Sequence, residues 1–244
     1  MALQLDLDGT VAVVTGGERG VGLGITAAFQ RAGATVITCA RHEPDQPVGE
    51  FIVCDVREPA EVDRLLYTIS SRYGRLDTLV NNAGGAPPAS AADASPRFHE
   101  KVVGLNLLAP LLISQRANEI MQRQPHGGSI VMVSSVSATR PSPGTAAYGA
   151  AKAGLDNLTA SLAVEWAPKV RVNALDVGMV RTERTREHFG PDAATTVPLG
   201  RFAEPEDVGA CAVFLASPLA GYVSGARLLV HGGGEAPAFL TKRG

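Results

Sequence analysis

Tyr148-Gly-Ala-Ala-Lys152 sets a phenol and an ammonium four residues apart. On a helix, positions i and i+4 share one face, so both groups project into the same space. A free phenol, with a pKa near about 10, is a poor base at neutral pH. A cation beside it favours the phenolate, and the tyrosine can then exchange a proton with a substrate oxygen. The same pairing is also common on solvated helix surfaces, so it needs company before it carries chemistry. Ser135 supplies some. It ends the strand-like run Ile130–Ser134, at the C-terminal sheet edge where open α/β sheets hold ligands. There its hydroxyl can hydrogen-bond an oxygen that gains charge. Ser134 competes for that role, but strand alternation turns it to the other face.

A second constellation lies near the start. Thr15-Gly16-Gly17-Glu18-Arg19-Gly20-Val21-Gly22 follows a β-branched run and opens a helix. Gly16 permits a tight turn, Gly20 admits a pyrophosphate to the backbone, and Gly22 lets helix and strand approach. Helix N–H groups and the helix dipole then favour phosphate. Taken alone, this pattern is equally a glycine-rich turn without a ligand. A Walker loop is excluded, because no Gly-Lys-Ser/Thr follows. Dinucleotide sites that prefer NAD place an acid about 20 residues on, at the end of the second strand. Here that place reads Cys39-Ala40-Arg41. Arg41 and Arg19 are suited to clamp a 2′-phosphate, which points to NADP. The alternative is two solvated arginines, with Glu43 or Asp45 reaching the ribose of NAD. A nicotinamide beside Tyr148 would exchange hydride with carbon while the phenol serves the oxygen.

The elements that must position these groups alternate. Strands are expected at Val11–Thr15, Thr35–Cys39, Phe51–Asp55, Thr78–Asn81, Ile130–Ser134, Val170–Leu175 and Arg227–Val230. Most are continuous apolar runs, as strands covered on both faces require. Val62, Leu65, Leu66 and Ile69 follow helical spacing, and so do Leu155, Leu158, Leu162 and Trp166 in a helix from Ala147 to about Trp166. Pro205 opens a helix through Leu215. Residues 40–50 hold two prolines and no apolar period, so this crossover reads as a loop. The pattern implies a doubly wound parallel sheet with helices on both faces. Without a linker or repeat, residues 1–244 read as one Rossmann-type domain.

Among the 244 residues, 45% are hydrophobic and 19% charged, which is ample for a core. The net charge of −2 favours neither nucleic acid nor an anionic membrane. Three scattered cysteines fit a reducing compartment better than a disulfide framework. No leader-like segment or apolar run near the ~20 residues of a membrane span is present, so a cytoplasmic location is expected. No cluster has metal-ligand spacing, and no metal is expected.

With these pieces in order, the chain resembles the short-chain dehydrogenase/reductase family from end to end. The matching pieces are Thr15-Gly-x3-Gly-x-Gly22, Asp55-Val56, Asn81-Asn-Ala-Gly84, Asn106, Ser135, Tyr148-x3-Lys152, Asn173 through Thr182, Leu199 through Asp207, and Gly225. Ser135 lies 13 positions before Tyr148, the family spacing. The resemblance implies that Asn106 completes a tetrad with Ser135, Tyr148 and Lys152, holding a water that relays protons from Lys152. It implies that Tyr148 and Lys152 also contact the cofactor, Lys152 through the nicotinamide ribose. Asp55 and Val56 would flank the adenine, Asn82, Ala83 and Gly84 would line the cofactor, and Val180 and Thr182 would touch its nicotinamide end. Two places depart from the family. Val177-Gly178 stands for Pro-Gly, with Asp176 placing a carboxylate nearby, and His231 interrupts the late Val-Asp-Gly-Gly pattern.

The implied activity is an NADPH ketoreductase of the 3-oxoacyl thioester type. A steroid, terpenoid or other ring-alcohol dehydrogenase shares every motif. A non-catalytic dinucleotide sensor is the third reading, against which stand all four tetrad positions. Selectivity would come from Gly85–Pro96 and from a lid at about residues 183–200, where Arg184, Arg186 and His188 could attract an anion. A homotetramer is implied, with a dimer as the smaller alternative. Its contacts would be the small-residue face Ala147–Gly154 with the Val102–Met121 helix, and the C-terminal strand with the Pro205–Leu215 helix.

Overall fold

Seven parallel strands form the sheet in the order β3-β2-β1-β4-β5-β6-β7. This computed structural model describes residues 5–183, 185 and 191–234. The strands are β1 (Val11–Thr15), β2 (Thr35–Ala40), β3 (Glu50–Val53), β4 (Thr78–Asn81), β5 (Gly128–Ser135), β6 (Val170–Val177) and β7 (Arg227–Val230). The helices are α1 (Gly20–Arg31), α2 (Pro59–Tyr73), α3 (Pro96–Val103), α4 (Ala109–Arg123), α5 (Ala146–Glu165) and α6 (Pro205–Ala216). The strand order reverses between β1 and β4. That is the switch point at which a doubly wound sheet opens a crevice.

Each face of the sheet buries its own cluster. Val13, Ile130, Met132 and Val172 pack with Leu65, Ile113 and Leu155 on the face covered by α2, α4 and α5. Ala12, Val14, Val131 and Leu175 pack with Ile25, Phe29 and Val208 on the face covered by α1 and α6. Neighbours in sequence thus fall on opposite sides, as period-two alternation requires.

Several element ends differ from the sequence expectation. β3 stops at Val53 and leaves Asp55 outside it, because the Asp55 N–H donates to Glu61 Oε2 at 2.8 Å rather than to a neighbouring strand. β5 and β6 run to Ser135 and Val177, longer than the apolar runs, because they pair with each other to those residues. The helix expected over Val102–Met121 is interrupted. Between α3 and α4 lies a π-helical turn, Gly104–Leu108, that contains Asn106. Proline 110 has no N–H to offer the carbonyl four residues back, which is that of Asn106. The crossover after β2 is a loop without a helix, as expected.

Candidate active site

α1 begins at Gly20 behind Arg19, with no side-chain cap and no acid in its first turn. Its leading N–H groups therefore point at the loop in front of it, an arrangement suited to phosphate. Gly16 (φ 63°) and Gly20 (φ 52°) take left-handed conformations open to glycine. Gly22 is required for a different reason. A Cβ there would lie 2.1 Å from the Gly16 carbonyl oxygen. Val21 packs against the α1/α6 cluster. The side chain of Glu18 turns away from the cradle. It accepts from the Thr38 hydroxyl on β2 and from the Val48 N–H at 3.0 Å, which pins the helix-free crossover to the glycine loop.

The β4 end joins this cradle through Thr15 and Asn82. Thr15 Oγ1 accepts from the Asn82 and Ala83 N–H groups, each at 2.9 Å. The Asn82 amide donates to the carbonyls of Thr15 (2.9 Å) and Gly16 (3.1 Å). Farther out, Arg41 and Arg19 are exposed and form no ion pair with a described residue. Asp55 is held below the usual carboxylate range, chiefly by hydrogen bonding from Arg57, whose Nε lies at 2.9 Å. Arg41 lowers it further from a distance. Val56 is buried in the core below Asp55. These residues fit a dinucleotide, with an uncapped helix end for its pyrophosphate and exposed cations near its adenosine side.

At the other side of the switch point, Tyr148 and Lys152 rise from the first turns of α5, and Lys152 Nζ lies 5.6 Å from the Tyr148 ring centre. Lys152 is buried and donates to the Val133 carbonyl at 2.7 Å. Burial pulls its pKa down to about 8, against an opposing pull from Asp156. Ser135 ends β5, and its Oγ accepts from the Ser137 N–H at 3.2 Å. Ser134 points the other way, beneath α5, toward the Lys152 carbonyl at 3.4 Å. The two serines thus face opposite sides of the sheet, as strand alternation expects.

Asn106 is fully buried. Its amide donates to the carbonyls of Gly85 (3.0 Å) and Val102 (2.8 Å) and accepts from the Gly85 N–H (2.8 Å). The side chain thus clamps the backbone beyond β4. A Cβ on Gly84 would lie 2.8 Å from Asn106 Oδ1 and 3.5 Å from Lys152 Nζ, so glycine there lets the β4 loop reach the lysine. Val180 is buried and bridged to Ala203, and Thr182 stands beside Gly20.

A cavity of about 140 Å³ opens next to the Ser135 turn, lined by Val136, Thr139, Arg140, Gly178, Met179, Val197, His231 and Gly234. His231 packs on Gly178 and forms part of this wall. Asp176 does not approach it. Its carboxylate is fully buried beneath α5 and pairs with that of Asp156. Arg184, Arg186 and His188 lie outside the described residues. Sequence reasoning missed the Val133 carbonyl as a Lys152 partner, Arg57 as the partner of Asp55, and Asp156. Only Asp156 had a signal, its place one turn after Lys152. Among the described residues no group of three or more metal-ligating side chains occurs, and no helix is long and apolar enough to cross a membrane.

Comparison with known proteins gives a consistent set. A family model described as enoyl-(acyl carrier protein) reductase matches residues 16–235. The chain is 33% identical to a D-threitol dehydrogenase of Mycolicibacterium smegmatis, with 93% of each chain covered. It is 34% identical to an L-fucose dehydrogenase of Bos taurus, covering 96% of this chain and 93% of that one. Among solved structures, the aldohexose dehydrogenase of Thermoplasma acidophilum is 30% identical with a TM-score of 0.88, with 94% of each chain covered.

Proposed function

This chain belongs to the short-chain dehydrogenase/reductase family, and we propose that within it the protein is an NADP(H)-dependent oxidoreductase acting on a carbonyl or secondary alcohol. The observation that supports this is the position of Lys152 Nζ, 5.6 Å from the Tyr148 ring centre and bonded to the Val133 carbonyl two residues before Ser135. Bound NADPH supplies the hydride. In reduction Tyr148 gives its proton to the substrate oxygen, and in oxidation it takes that proton back. Lys152 holds a positive charge near the phenol and favours its ionised form. Ser135 Oγ hydrogen-bonds the same substrate oxygen. Asn106 sets the Gly84–Gly85 backbone, and a water-borne relay from Lys152 runs past it.

Gly16, Glu18, Arg19, Gly20, Val21 and Gly22 form the cofactor loop. Asp55, Val56, Asn82, Ala83, Gly84, Val180 and Thr182 complete the groove. The choice of NADP over NAD rests on Arg41 and Arg19, two exposed guanidinium groups that form no ion pair with a described residue. A 2′-phosphate would supply one through charge-assisted bonds.

Two substrate readings remain in play, and observations support each. The enoyl-(acyl carrier protein) reductase description of the family model supports an acyl thioester, of which the 3-oxoacyl type is the one with a carbonyl to reduce. The names of the threitol, fucose and aldohexose dehydrogenases support a small polyhydroxylated substrate, and so does a cavity of about 140 Å³ whose wall includes Thr139, Arg140 and His231. We favour the second, because the names of three relatives across most of the chain agree on a sugar or polyol. The decisive experiment follows nicotinamide absorbance with NADPH and NADH against sugars, polyols, ring ketones and acyl thioesters. Turnover of none with either cofactor would leave a dinucleotide-binding sensor.

The same reading makes residues 1–244 one cytoplasmic domain assembled as a tetramer; the lid expected at about residues 183–200 lies partly outside the described residues. Exposed Leu108 and Val164 on the α4/α5 side, and Tyr222 and Leu229 near β7, support two separate contacts. Gly149 and Gly154 support it less. They make room for Ser137 and Leu107 of the same subunit. Light scattering should give four times the 25.3 kDa of one chain, and a monomer would end the idea.

A further inference from the structure

Behind Lys152 lies a second charged cluster that hydride transfer does not use. Asp156 follows Lys152 by one turn of α5, and Asp176 stands on β6 directly below. Both side chains are buried, with 5% and 0% of their surface exposed. Their carboxylates pair with each other, and three of the four oxygens have no hydrogen-bond partner: Asp156 Oδ1 and both oxygens of Asp176. The fourth, Asp156 Oδ2, accepts from Arg227 of β7 at 3.2 Å. On the β5 side the neighbour in register is the neutral Ser134. The charged groups facing the pair are therefore Lys152 from α5 and Arg227 from β7.

An ionised carboxylate only accepts hydrogen bonds, so two of them in contact leave their facing oxygens orphaned. One proton changes this. It turns one facing oxygen into a donor and gives two of the three orphaned atoms a partner. We propose that Asp156 and Asp176 form a proton-sharing acid pair behind Lys152, whose negative charge makes Asp156 a positioning residue for the Lys152 ammonium. The inference rests on the reading of Lys152 given above.

The electrostatics run in the same direction. Burial pushes the Asp176 carboxyl up to about 6, and the Asp156 charge adds to that, against Arg227. Lys152 is pulled down to about 8 by burial, and Asp156 is the charge that opposes the fall. As pH rises through the Asp176 range, the pair gains its second negative charge before Lys152 releases its proton. Of the two carboxylates, Asp156 is the one whose charge acts on the ammonium.

Infrared difference spectroscopy of the purified protein tests the shared proton without any substrate. At about pH 5.5, well above the ordinary aspartate range near about 3.9, a carboxylic-acid C=O band should remain. It should shift in D₂O, fade through about pH 6, and be missing in Asp176→Asn. No such band in the wild type, a band untouched in a folded Asp176→Asn, or a cation requirement for thermal stability would overturn the pair. The positioning role is read from kcat/KM for carbonyl reduction against pH. Asp156→Asn should move the alkaline limb down by about one pH unit, a tenfold change in proton affinity. Asp156→Glu, which restores a carboxylate, should recover part of that shift. An alkaline limb unmoved in Asp156→Asn would overturn the role. Protein that shows the band but turns over no substrate would retain the pair and fail the activity reading instead.

Discussion

The two halves of the sheet rim do their work with different parts of the chain. Around β1 and β4 the surface offered to a ligand is mostly backbone. Gly16, Gly20 and the first turn of α1 present N–H groups, while Thr15 and Asn82 knit one loop to the next. Around β5 and β6 the polar groups are side chains withdrawn from water, namely Lys152, Ser135 and the carboxylates of Asp156 and Asp176. A backbone site is intolerant of added atoms and indifferent to pH. A side-chain site tolerates small changes of shape but responds to every change of charge.

The largest test of that contrast is Tyr148→Phe, which keeps the ring and deletes the proton. Turnover should fall by about 10²–10⁴-fold, while NADPH titration by fluorescence gives a nearly unchanged affinity. More than a few per cent residual turnover would return the chemistry to the backbone side. Gly22→Ala adds a single methyl where 2.1 Å is available. Overpacking of this kind costs about 1–3 kcal/mol, to be read as a lower melting temperature together with weaker binding of both cofactors. Arg41→Ala is gentler. It should weaken NADPH by about tenfold, the scale of one charge-assisted bond, and leave NADH nearly unchanged. Equal losses for both would make Arg41 a plain surface charge. The smallest effect needs no mutation. Lys152 keeps its proton below about 8 and loses it above, so reductive kcat/KM should be halved near that pH and fall further on the alkaline side. A flat profile to pH 10 would show that the ammonium does not matter.

The same division explains what could be read from the sequence. β1, β4 and β7 matched the apolar runs residue for residue, because their limits are set by local composition. The glycine cradle was legible because absent side chains are visible in a sequence. The opposite facing of Ser134 and Ser135 followed from alternation, a purely local rule. Where a neighbour from far along the chain decides, sequence reading fell short. β3 loses Asp55 to Glu61, and Asp176, placed near the nicotinamide by sequence proximity to Gly178, is drawn beneath α5 to Asp156. The engagement of Asn106 with Gly85 is likewise a contact across 21 positions, which no spacing rule encodes.

The π-helical turn at Gly104–Leu108 also hides one residue from everything after it. Such a turn holds one residue more than the α-helix around it. At about 100° per α-helical residue, four such residues turn the chain nearly as far as five π-helical ones. Deleting one residue there would restore regular pitch and leave α4 close to its present phase, with the fully buried Ile113, Ala117 and Met121 still facing the sheet. What would be lost is the bulge that brings Asn106 to Gly85. A deletion within Gly104–Leu108 should therefore leave the fold standing and release the backbone beyond β4, whereas a deletion between Ala109 and Met121 should turn the buried face away from the sheet.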